Sequence, residues 1–303
     1  MSKQILRLAA LDLDGTLLAH SGEVTPRTRA AIEAAVARGV VVVPATGRPL
    51  SNLPPTVASL PGVRYVITSN GAAVWDLGAD PMSAVYSRYS NAGDHVISEP
   101  RLVVGCLLPV ETARRAYEVF RRYQGDFSIF SDGRSIKDAQ GLAFTHARAA
   151  RVKSTEAKQP NDGRFTVIRD FDEWMSRNAH TIEKFCLFFS GDVEAAQAAL
   201  PDFQALEGVE VVQGSPDNIE VTTAGADKGE GLLALANLLG IPREQTVAFG
   251  DSENDRAMLQ KAGVAAVMSN GMEQIKAIGD IISEDDCDHD GVAELFAKLG
   301  LSE

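Results

Sequence analysis

Residues 8–18 read Leu-Ala-Ala-Leu-Asp-Leu-Asp-Gly-Thr-Leu-Leu, an apolar run interrupted by two carboxylates and a glycine. The run predicts a buried strand, and Gly15 permits a sharp turn directly after it. Asp12 and Asp14 are two residues apart, so their side chains share one face of the strand while it lasts. Two carboxylates that meet at the end of a buried strand are costly unless a cation holds them, and their oxygen atoms suit Mg²⁺.

Two other interpretations of this stretch rest on its local chemistry. An ordinary Asp-Gly turn would also end a strand. A calcium-binding loop would place Asp12, Asp14 and Glu23 at its first, third and twelfth positions, but its sixth position requires glycine and is Leu17 here. The calcium loop therefore fails, whereas the simple turn stays open.

Length and charge set the class of protein. A chain of 303 residues can bury the cores of two domains or of one large one. The net charge of −12 argues against a nucleic-acid-binding surface, so an anionic small molecule would have to be drawn by a local positive site. Three scattered cysteines predict no disulfide framework, and neither a signal peptide nor a membrane span is visible. We expect a cytoplasmic protein without nucleic-acid or membrane partners; the oligomeric state stays open.

Hydrophobic patterning predicts a doubly wound α/β core. After the first strand, Thr25-Pro26 opens a helical pattern that Gly39 ends, and the fully apolar residues 40–43 form the next strand. Alternating strand and helix patterns return near residue 218 and continue to the end of the chain. The segment between has a different character, with strand patterns such as 102–108 and 127–130 beside helical ones. We predict a core domain from residues 1–81 and 216–303, with an α+β domain over 82–215 inserted in it.

Polar clusters follow apolar strands or open helices at four places. Besides Asp12 and Asp14, these are Thr46-Gly47-Arg48, Lys228, and the stretch 251–255 with Asp251, Asn254 and Asp255. Each of the last three alone has a structural explanation, with Thr46 as a helix cap, Lys228 as a solvated lysine, and the two acids at a helix N-terminus. A lysine in the first turn of a helix opposes the helix dipole, however, so a nearby anion would explain its position.

Together and in this order, the four clusters resemble the motifs of the haloacid dehalogenase-like (HAD) phosphatases. Asp-Leu-Asp-Gly-Thr at 12–16 matches the first motif, Thr46 the second, Lys228 the third, and Gly-Asp-Ser-Glu-Asn-Asp at 250–255 the fourth. Ala-Thr-Gly-Arg at 45–48, Ser-Asn-Gly-Ala at 69–72 and Asp-Gly-Val at 290–292 are similar to the Cof-like subfamily. The resemblance implies a Rossmann-like parallel sheet with helices on both faces and an inserted α+β cap domain of type C2B, which matches here in size and position only.

The resemblance also implies roles for individual residues. Asp12 would attack phosphorus and form an aspartyl-phosphate, while Asp14 would act as the acid and base. Mg²⁺ would be bound by the Asp12 carboxylate, the Asp14 backbone carbonyl and Asp251, with Asp255 as support. The phosphoryl oxygens would be held by Lys228, Thr46, backbone N–H groups near Gly47 and Asn254. Arg48 and Asn70 are candidates for cleft or cap contacts, or else structural turn residues.

The function that the resemblance implies is Mg²⁺-dependent hydrolysis of a small phosphomonoester, such as a sugar phosphate. A phosphomutase or phosphotransferase on the same scaffold is an alternative, and a non-catalytic sensor of a phosphorylated ligand is another. The cap would read the rest of the substrate. The candidates in the cap sequence are Phe127, Phe130, Arg134 and Trp174. Each of them could equally well be a core-packing or a surface residue.

Overall fold

The computed structural model describes residues 5–89, 99–152 and 165–302. In chain order, its strands are β1 (Leu8–Asp12), β2 (Val41–Ala45), β3 (Tyr65–Thr68), β4 (Ala73–Asp76), β5 (Arg101–Gly105), β6 (Asp126–Ser131), β7 (Arg134–Lys137), β8 (Phe165–Val167), β9 (Ile182–Phe188), β10 (Val209–Val212), β11 (Asn218–Thr223), β12 (Thr246–Gly250), β13 (Val264–Val267) and β14 (Ile281–Ile282). Its helices are α1 (Pro26–Ala37), α2 (Pro55–Ala58), α3 (Pro81–Tyr89), α4 (Val110–Phe120), α5 (Ala139–Val152), α6 (Phe171–Asn178), α7 (Val193–Gln204), α8 (Lys228–Leu238), α9 (Arg256–Lys261), α10 (Glu273–Lys276) and α11 (Gly291–Lys298).

The larger sheet has eight strands in the order β14-β13-β12-β1-β2-β3-β4-β5. Its first six strands are parallel, and β4 and β5 extend it with antiparallel pairs. Leu8 and Ala10 of β1 pack in a cluster with residues of α8 and α9, whereas Ala9 and Leu11 pack on the other face with α1 and α11. Helices therefore cover both faces, which explains the continuous apolar strands and confirms the predicted doubly wound core.

A smaller sheet of six strands, in the order β10-β11-β9-β6-β7-β8, forms the cap domain. All of its pairs are antiparallel except that of β7 with β8. Ile129, Phe185 and Ile219 lie on the face that forms a hydrophobic cluster with α4, α6 and α7. The neighbouring residues in these strands alternate to the opposite face, which is turned toward the core domain.

The sheet topology corrects the predicted domain boundaries. Strand β5 lies inside the predicted cap over 82–215 but pairs with β4 of the core, and β11 lies in the predicted core but pairs with β9 and β10 of the cap. The chain thus enters the cap after Gly105 and leaves it after Thr223. The physical reason is visible in β11, since Asn218-Ile219-Glu220-Val221 alternates polar and apolar side chains as half-buried antiparallel strands do.

Hydrogen bonds join the two domains beside the carboxyl ends of the core strands. The buried carboxylate of Glu183 accepts from Ser69 Oγ of the core at 2.6 Å and from Gly133 N of the cap at 2.6 Å. The Gly133 carbonyl accepts from Ser51 N at 2.8 Å. Burial raises the pKa of Glu183, although these two hydrogen bonds to its carboxylate oppose the rise.

In the part of the chain that the structure describes, no helix combines the length and the apolar character needed to cross a membrane.

Candidate active site

The first acidic loop is fixed by a glycine that no other residue could replace without movement. Asp12 ends β1, and the chain then turns through Gly15 at φ +85°, a conformation that side-chain-bearing residues rarely adopt. A Cβ atom at Gly15 would lie 2.7 Å from Asp251 Oδ2. Thr16 Oγ1 donates to Asp251 Oδ1 at 2.9 Å, so the loop after β1 meets the loop after β12 directly. The two acidic motifs, 235 residues apart in sequence, thereby form one site.

Lys228 is the buried cation of this site. Asp227 caps α8 by accepting from the backbone N–H groups of Gly229 and Glu230, so that Lys228 occupies the first helical position. Its Nζ donates to Asp12 Oδ1 at 2.5 Å and to Asp255 Oδ1 at 2.7 Å. Burial alone would lower the pKa of Lys228, but the two carboxylates outweigh it and raise that pKa above its usual range.

Asp255 is fully buried and bonded through both carboxylate oxygens. Besides Lys228 on Oδ1, its Oδ2 accepts from the backbone N–H groups of Asp251 at 3.0 Å and Ser252 at 3.1 Å. It thus holds Lys228 and the loop that carries Asp251. Asn254 lies in the same loop, accepts from Ser252 Oγ at 2.6 Å and lines the adjoining cavity.

The acidic groups carry more negative charge than Lys228 balances. One carboxylate oxygen from each of Asp12, Asp251 and Asp255 lies within 4.8 Å of the others. Burial, and then the charge of Asp255, raises the pKa of Asp12 well above its usual value, and the same two causes raise the pKa of Asp251 to about 6. Hard oxygen donors in a negatively charged pocket match what Mg²⁺ binds, so these residues fit the ion.

Asp14 takes a different position from Asp12. Its carboxylate is largely exposed to the cleft and lies outside the three-carboxylate group. Arg48 binds it with two hydrogen bonds, from Nη2 to Oδ1 at 2.7 Å and from Nε to Oδ2 at 3.2 Å. The structure therefore places Arg48 in the site through Asp14, with a bidentate geometry that fixes the carboxylate in the cleft.

The second motif lies beside the first at the end of β2. Thr46 is buried, and its Oγ1 accepts from Arg48 N at 3.1 Å. Asn70 adopts the left-handed conformation at φ 56°, which brings its Oδ1 within 2.6 Å of where a Cβ of Gly47 would be. Asp12, Asp14, Thr46, Gly47, Arg48, Asn70, Asp251 and Asn254 all line one cavity of about 440 Å³ between core and cap. Lys228 is not among the residues that line this cavity, and it contacts the site through its hydrogen bond to Asp12.

Two cap residues that the sequence analysis did not single out also belong to this cavity. Lys184 Nζ donates to the Gly47 carbonyl at 2.6 Å and to Glu220 Oε2 at 2.9 Å, and Asn70 Nδ2 donates to the same oxygen at 2.7 Å. Burial would raise the pKa of Glu220, but Lys184 and these hydrogen bonds lower it overall. For Glu220 the signal is the alternation Asn218-Ile219-Glu220-Val221 in β11, which marks one face of that strand as polar; β9 reads Ile-Glu-Lys-Phe-Cys-Leu-Phe and gives no such signal for Lys184.

The four cap residues visible in the sequence have separate positions. Phe130 lines the cavity, with Lys184 Nζ 4.7 Å from the centre of its ring. Phe127 and Trp174 pack against the hydrophobic cluster of the cap. Arg134 starts β7 and is not among the described residues that line the cavity.

Sequence comparison identifies the family of the chain. A family model described as haloacid dehalogenase-like hydrolase matches residues 9–87 and 88–296. The chain belongs to this family. The HAD-like match spans both the core and the cap, and it agrees with the resemblance that the four motifs carry.

Curated relatives place this HAD-like hydrolase among the phosphatases. It is 29% identical over 300 residues to phosphatase YwpJ of Bacillus subtilis, covering 97% of this chain and 100% of the relative. It is 27% identical over 289 residues to the 5-amino-6-(5-phospho-D-ribitylamino)uracil phosphatase YcsE of the same organism, covering 95% of this chain and 94% of the relative. The chain is thus a Cof-type HAD phosphatase, a phosphoric monoester hydrolase that acts on small phosphorylated compounds.

Solved structures share the fold across both domains. A haloacid dehalogenase-like hydrolase from B. subtilis is 25% identical with a TM-score of 0.74, and the match covers 96% of this chain and 99% of that structure. An HAD subclass IIB sugar phosphatase, 21% identical with a TM-score of 0.73, covers 97% of this chain and 99% of its own. The Rossmann-like core with a subclass IIB cap is therefore the fold of this HAD phosphatase.

Proposed function

We propose that this HAD phosphatase hydrolyses a small phosphomonoester in a Mg²⁺-dependent reaction that passes through an aspartyl-phosphate on Asp12. One observation carries the proposal: the Asp12 carboxylate opens on the cavity while Lys228 Nζ holds its Oδ1 at 2.5 Å. A carboxylate fixed next to a buried ammonium, at the end of a central strand, is suited to nucleophilic attack on an anionic phosphoryl group.

The donor set supports a metal next to this nucleophile. The carboxylates of Asp12 and Asp251 would hold Mg²⁺ together with the Asp14 backbone carbonyl, and Asp255 would support them from behind. When bound, the ion offsets negative charge on the phosphoryl group and orients it.

Two displacements then account for the reaction. Asp12 attacks phosphorus, so that its carboxylate oxygen gains a bond to phosphorus while the bond from phosphorus to the leaving oxygen breaks. Asp14 donates a proton to that leaving oxygen. Asp14 next takes a proton from a water molecule, whose oxygen attacks phosphorus and releases Asp12 and inorganic phosphate. Because Arg48 holds both oxygens of Asp14, it positions this carboxylate in the cleft.

The phosphoryl oxygens would be bound by groups that already surround the cavity. Thr46, the backbone near Gly47 and Asn254 line it, and Lys228 supplies the positive charge. These groups act in a buried site, where hydrogen bonds to developing charge are stronger than in water. Beyond the phosphoryl group, the cap lines the cavity with polar side chains beside Phe130, Phe165 and Phe188. The polar side chains support a hydroxyl-bearing metabolite such as a sugar or polyol phosphate, and the substrate in the name of YcsE carries a phosphorylated ribityl chain.

Phosphate release from a panel of sugar, polyol and nucleotide monophosphates tests the proposal. We expect release with Mg²⁺, none with EDTA, and none from Asp12→Asn. Asp170→Asn is the matched control, because it makes the same change of a carboxylate to an amide at the N-cap of α6, where asparagine can also cap the helix. Release that is unaffected by Asp12→Asn would refute the role of Asp12, and transfer of phosphate between positions of one sugar without release would instead indicate a mutase.

A further inference from the structure

The cap contributes a buried polar wall to the cavity, opposite Asp12. It is formed by alternate residues of β6, β7, β9 and β11, whose neighbours face the hydrophobic cluster of the cap. The wall includes six side chains that can bind a polar ligand: Asp126, Ser128, Ser135, Lys137, Lys184 and Glu220. Burying charged groups costs free energy, and replacing such pairs by apolar residues is often neutral or stabilising. Polar groups on a cavity wall are therefore better explained by a ligand than by stability.

Two ion pairs lie on this wall, and one of them contacts the core domain directly. The near pair, Lys184 with Glu220, contacts the core through the Gly47 carbonyl. The distal pair is Lys137 with Asp126, whose Oδ1 also accepts from Thr145 Oγ1 at 2.8 Å. Both members of the distal pair are buried, Asp126 being 1% and Lys137 4% exposed.

The strand register gives the separation of the two pairs. Lys184 lies opposite Phe130 in the pairing of β6 with β9, and Asp126 lies opposite Phe188. These two positions are four residues apart along the strands, about 13 Å at the usual rise per residue, whereas Glu220 and Lys137 both lie at the level of Ser128 and are separated across the sheet by β9 and β6. A leaving group must therefore extend well beyond the near pair before it contacts Asp126 and Lys137. Short leaving groups such as glycerol stay near Lys184.

The charges on the wall determine which ligand fits there. Among the described residues that line the cavity, the cap supplies two acids and two bases, so they sum to zero. A hydroxyl group both donates and accepts, and it can bond to a carboxylate, an ammonium and serine hydroxyls at once. A second phosphate only accepts, so it could bond to the ammonium groups and the serine hydroxyls but not to Asp126 or Glu220, which would face it as like charges and already engage those ammonium groups.

We propose that Asp126 and Lys137 form a distal subsite that selects an uncharged, hydroxyl-rich leaving group and rejects a substrate with a second phosphate at that end. The inference rests on the proposed function, because it assumes that the phosphoryl group lies at Asp12. It assigns substrate specificity to two residues that lie far along the cap sheet from the reacting groups.

Three compounds test the subsite: glycerol 1-phosphate, mannitol 1-phosphate and mannitol 1,6-bisphosphate. Their dissociation constants are measured by titration calorimetry with Mg²⁺ in an Asp12→Asn background, which prevents turnover. We expect mannitol 1-phosphate to bind at least about tenfold more tightly than either of the other two compounds. A single charge-assisted hydrogen bond is sufficient for a tenfold difference in affinity. Phosphate release by the unsubstituted protein is measured separately, so that a failure of hydrolysis is distinguished from a failure of the subsite.

The added substitution Asp126→Asn makes the wall cationic. It should weaken mannitol 1-phosphate about tenfold, tighten the bisphosphate about tenfold and leave glycerol 1-phosphate within about twofold. The matched control, Asp170→Asn, should change none of the three. A merely structural role would shift all three constants alike, and that result, or no preference in the Asp12→Asn background, overturns the inference.

A second variant covers the possibility that Asp126→Asn fails to fold because Lys137 loses its partner. Asp126→Asn with Lys137→Gln replaces the pair by two neutral amides that can still bond to each other. The wall is then uncharged again, so the bisphosphate should bind as weakly as in the Asp12→Asn background. Tighter binding of the bisphosphate by this double variant would contradict the charge argument.

Discussion

Replacing Lys228 by methionine tests the electrostatic design of the site most fully. The substitution keeps an unbranched side chain as far as the ε position but removes Nζ and its hydrogen bonds to Asp12 at 2.5 Å and to Asp255 at 2.7 Å. Breaking a buried ion pair from one side costs about 3–5 kcal/mol, because the remaining charges lose their partner. At roughly 2–4 °C per kcal/mol for a domain of this size, the melting temperature in EDTA should fall by roughly 10 °C.

The loss should depend on pH and on metal in a defined way. Without Lys228, the pKa of Asp12 rises further, so protonation at lower pH relieves the repulsion and the difference from the unsubstituted protein shrinks. Mg²⁺ should restore part of the stability, since it supplies positive charge to the same carboxylates. Phosphate release should stay reduced by about 10²–10³-fold even with Mg²⁺, because the phosphoryl group still lacks its ammonium.

Calorimetric melting with and without Mg²⁺, together with phosphate release, measures both effects. Lys261→Met is the matched control: Lys261 pairs with Asp227 and Glu230 at the surface, where such pairs contribute about 1 kcal/mol or less. A melting temperature of Lys228→Met in EDTA within 2 °C of that of the control would correspond to a difference of about 1 kcal/mol or less in unfolding free energy, and it would show that the buried ion-pair argument is wrong. Release close to that of the unsubstituted protein would refute the role in phosphate binding.

Three further expectations concern the same site. Gly15→Ala should lower both activity and stability, because a φ of +85° is strained for alanine and the new Cβ would meet Asp251. The control Gly22→Ala, at φ +83° with open space around it, should lose only about 1–2 kcal/mol of unfolding free energy and no activity. Equal effects of the two substitutions on melting and phosphate release would refute the close approach of Gly15 to Asp251. The pKa of Asp251 is raised to about 6 without metal, so its charged form destabilises the metal-free fold as the pH rises through 6. Mg²⁺ binds the charged form, and the rise in melting temperature that Mg²⁺ causes should therefore be larger at pH 7.5 than at pH 5. Arg48→Lys cannot reproduce the bidentate bond to Asp14, so turnover should fall about tenfold while melting changes little, and unchanged turnover would contradict a positioning role.

The part of the site that sequence reasoning could predict lies at the ends of parallel strands. Asp12, Thr46 and Asp251 each follow an apolar run, and parallel strands bring their carboxyl ends to one edge of a sheet. That rule suffices to bring together residues more than two hundred positions apart. It predicts no side-chain contact, however, so the pairing of Arg48 with Asp14 and the burial of both Asp255 oxygens emerged only from the structure.

The cap shows why the remainder could not be predicted. Lys184, Glu220 and Asp126 come from three strands whose antiparallel register is set by long-range pairing, and nothing local in the sequence fixes that register. The alternation at the start of β6 and in β11 marks a polar face, but it does not indicate what that face is turned toward. The sequence pattern places β11 in the core for the same reason, because the true position of this strand depends on its pairing with β9, some thirty residues earlier in the chain.

The most direct test of the account is to trap phosphate on Asp12. The protein is mixed with Mg²⁺ and a substrate from the panel, quenched in acid during turnover and treated with borohydride, which reduces an aspartyl-phosphate to homoserine. Mass spectrometry of the peptide that contains residues 8–18 then locates the change. We predict homoserine at position 12 and unchanged aspartate at position 14. Turnover with aspartate intact at position 12, or homoserine at any other position, would contradict the central role of Asp12.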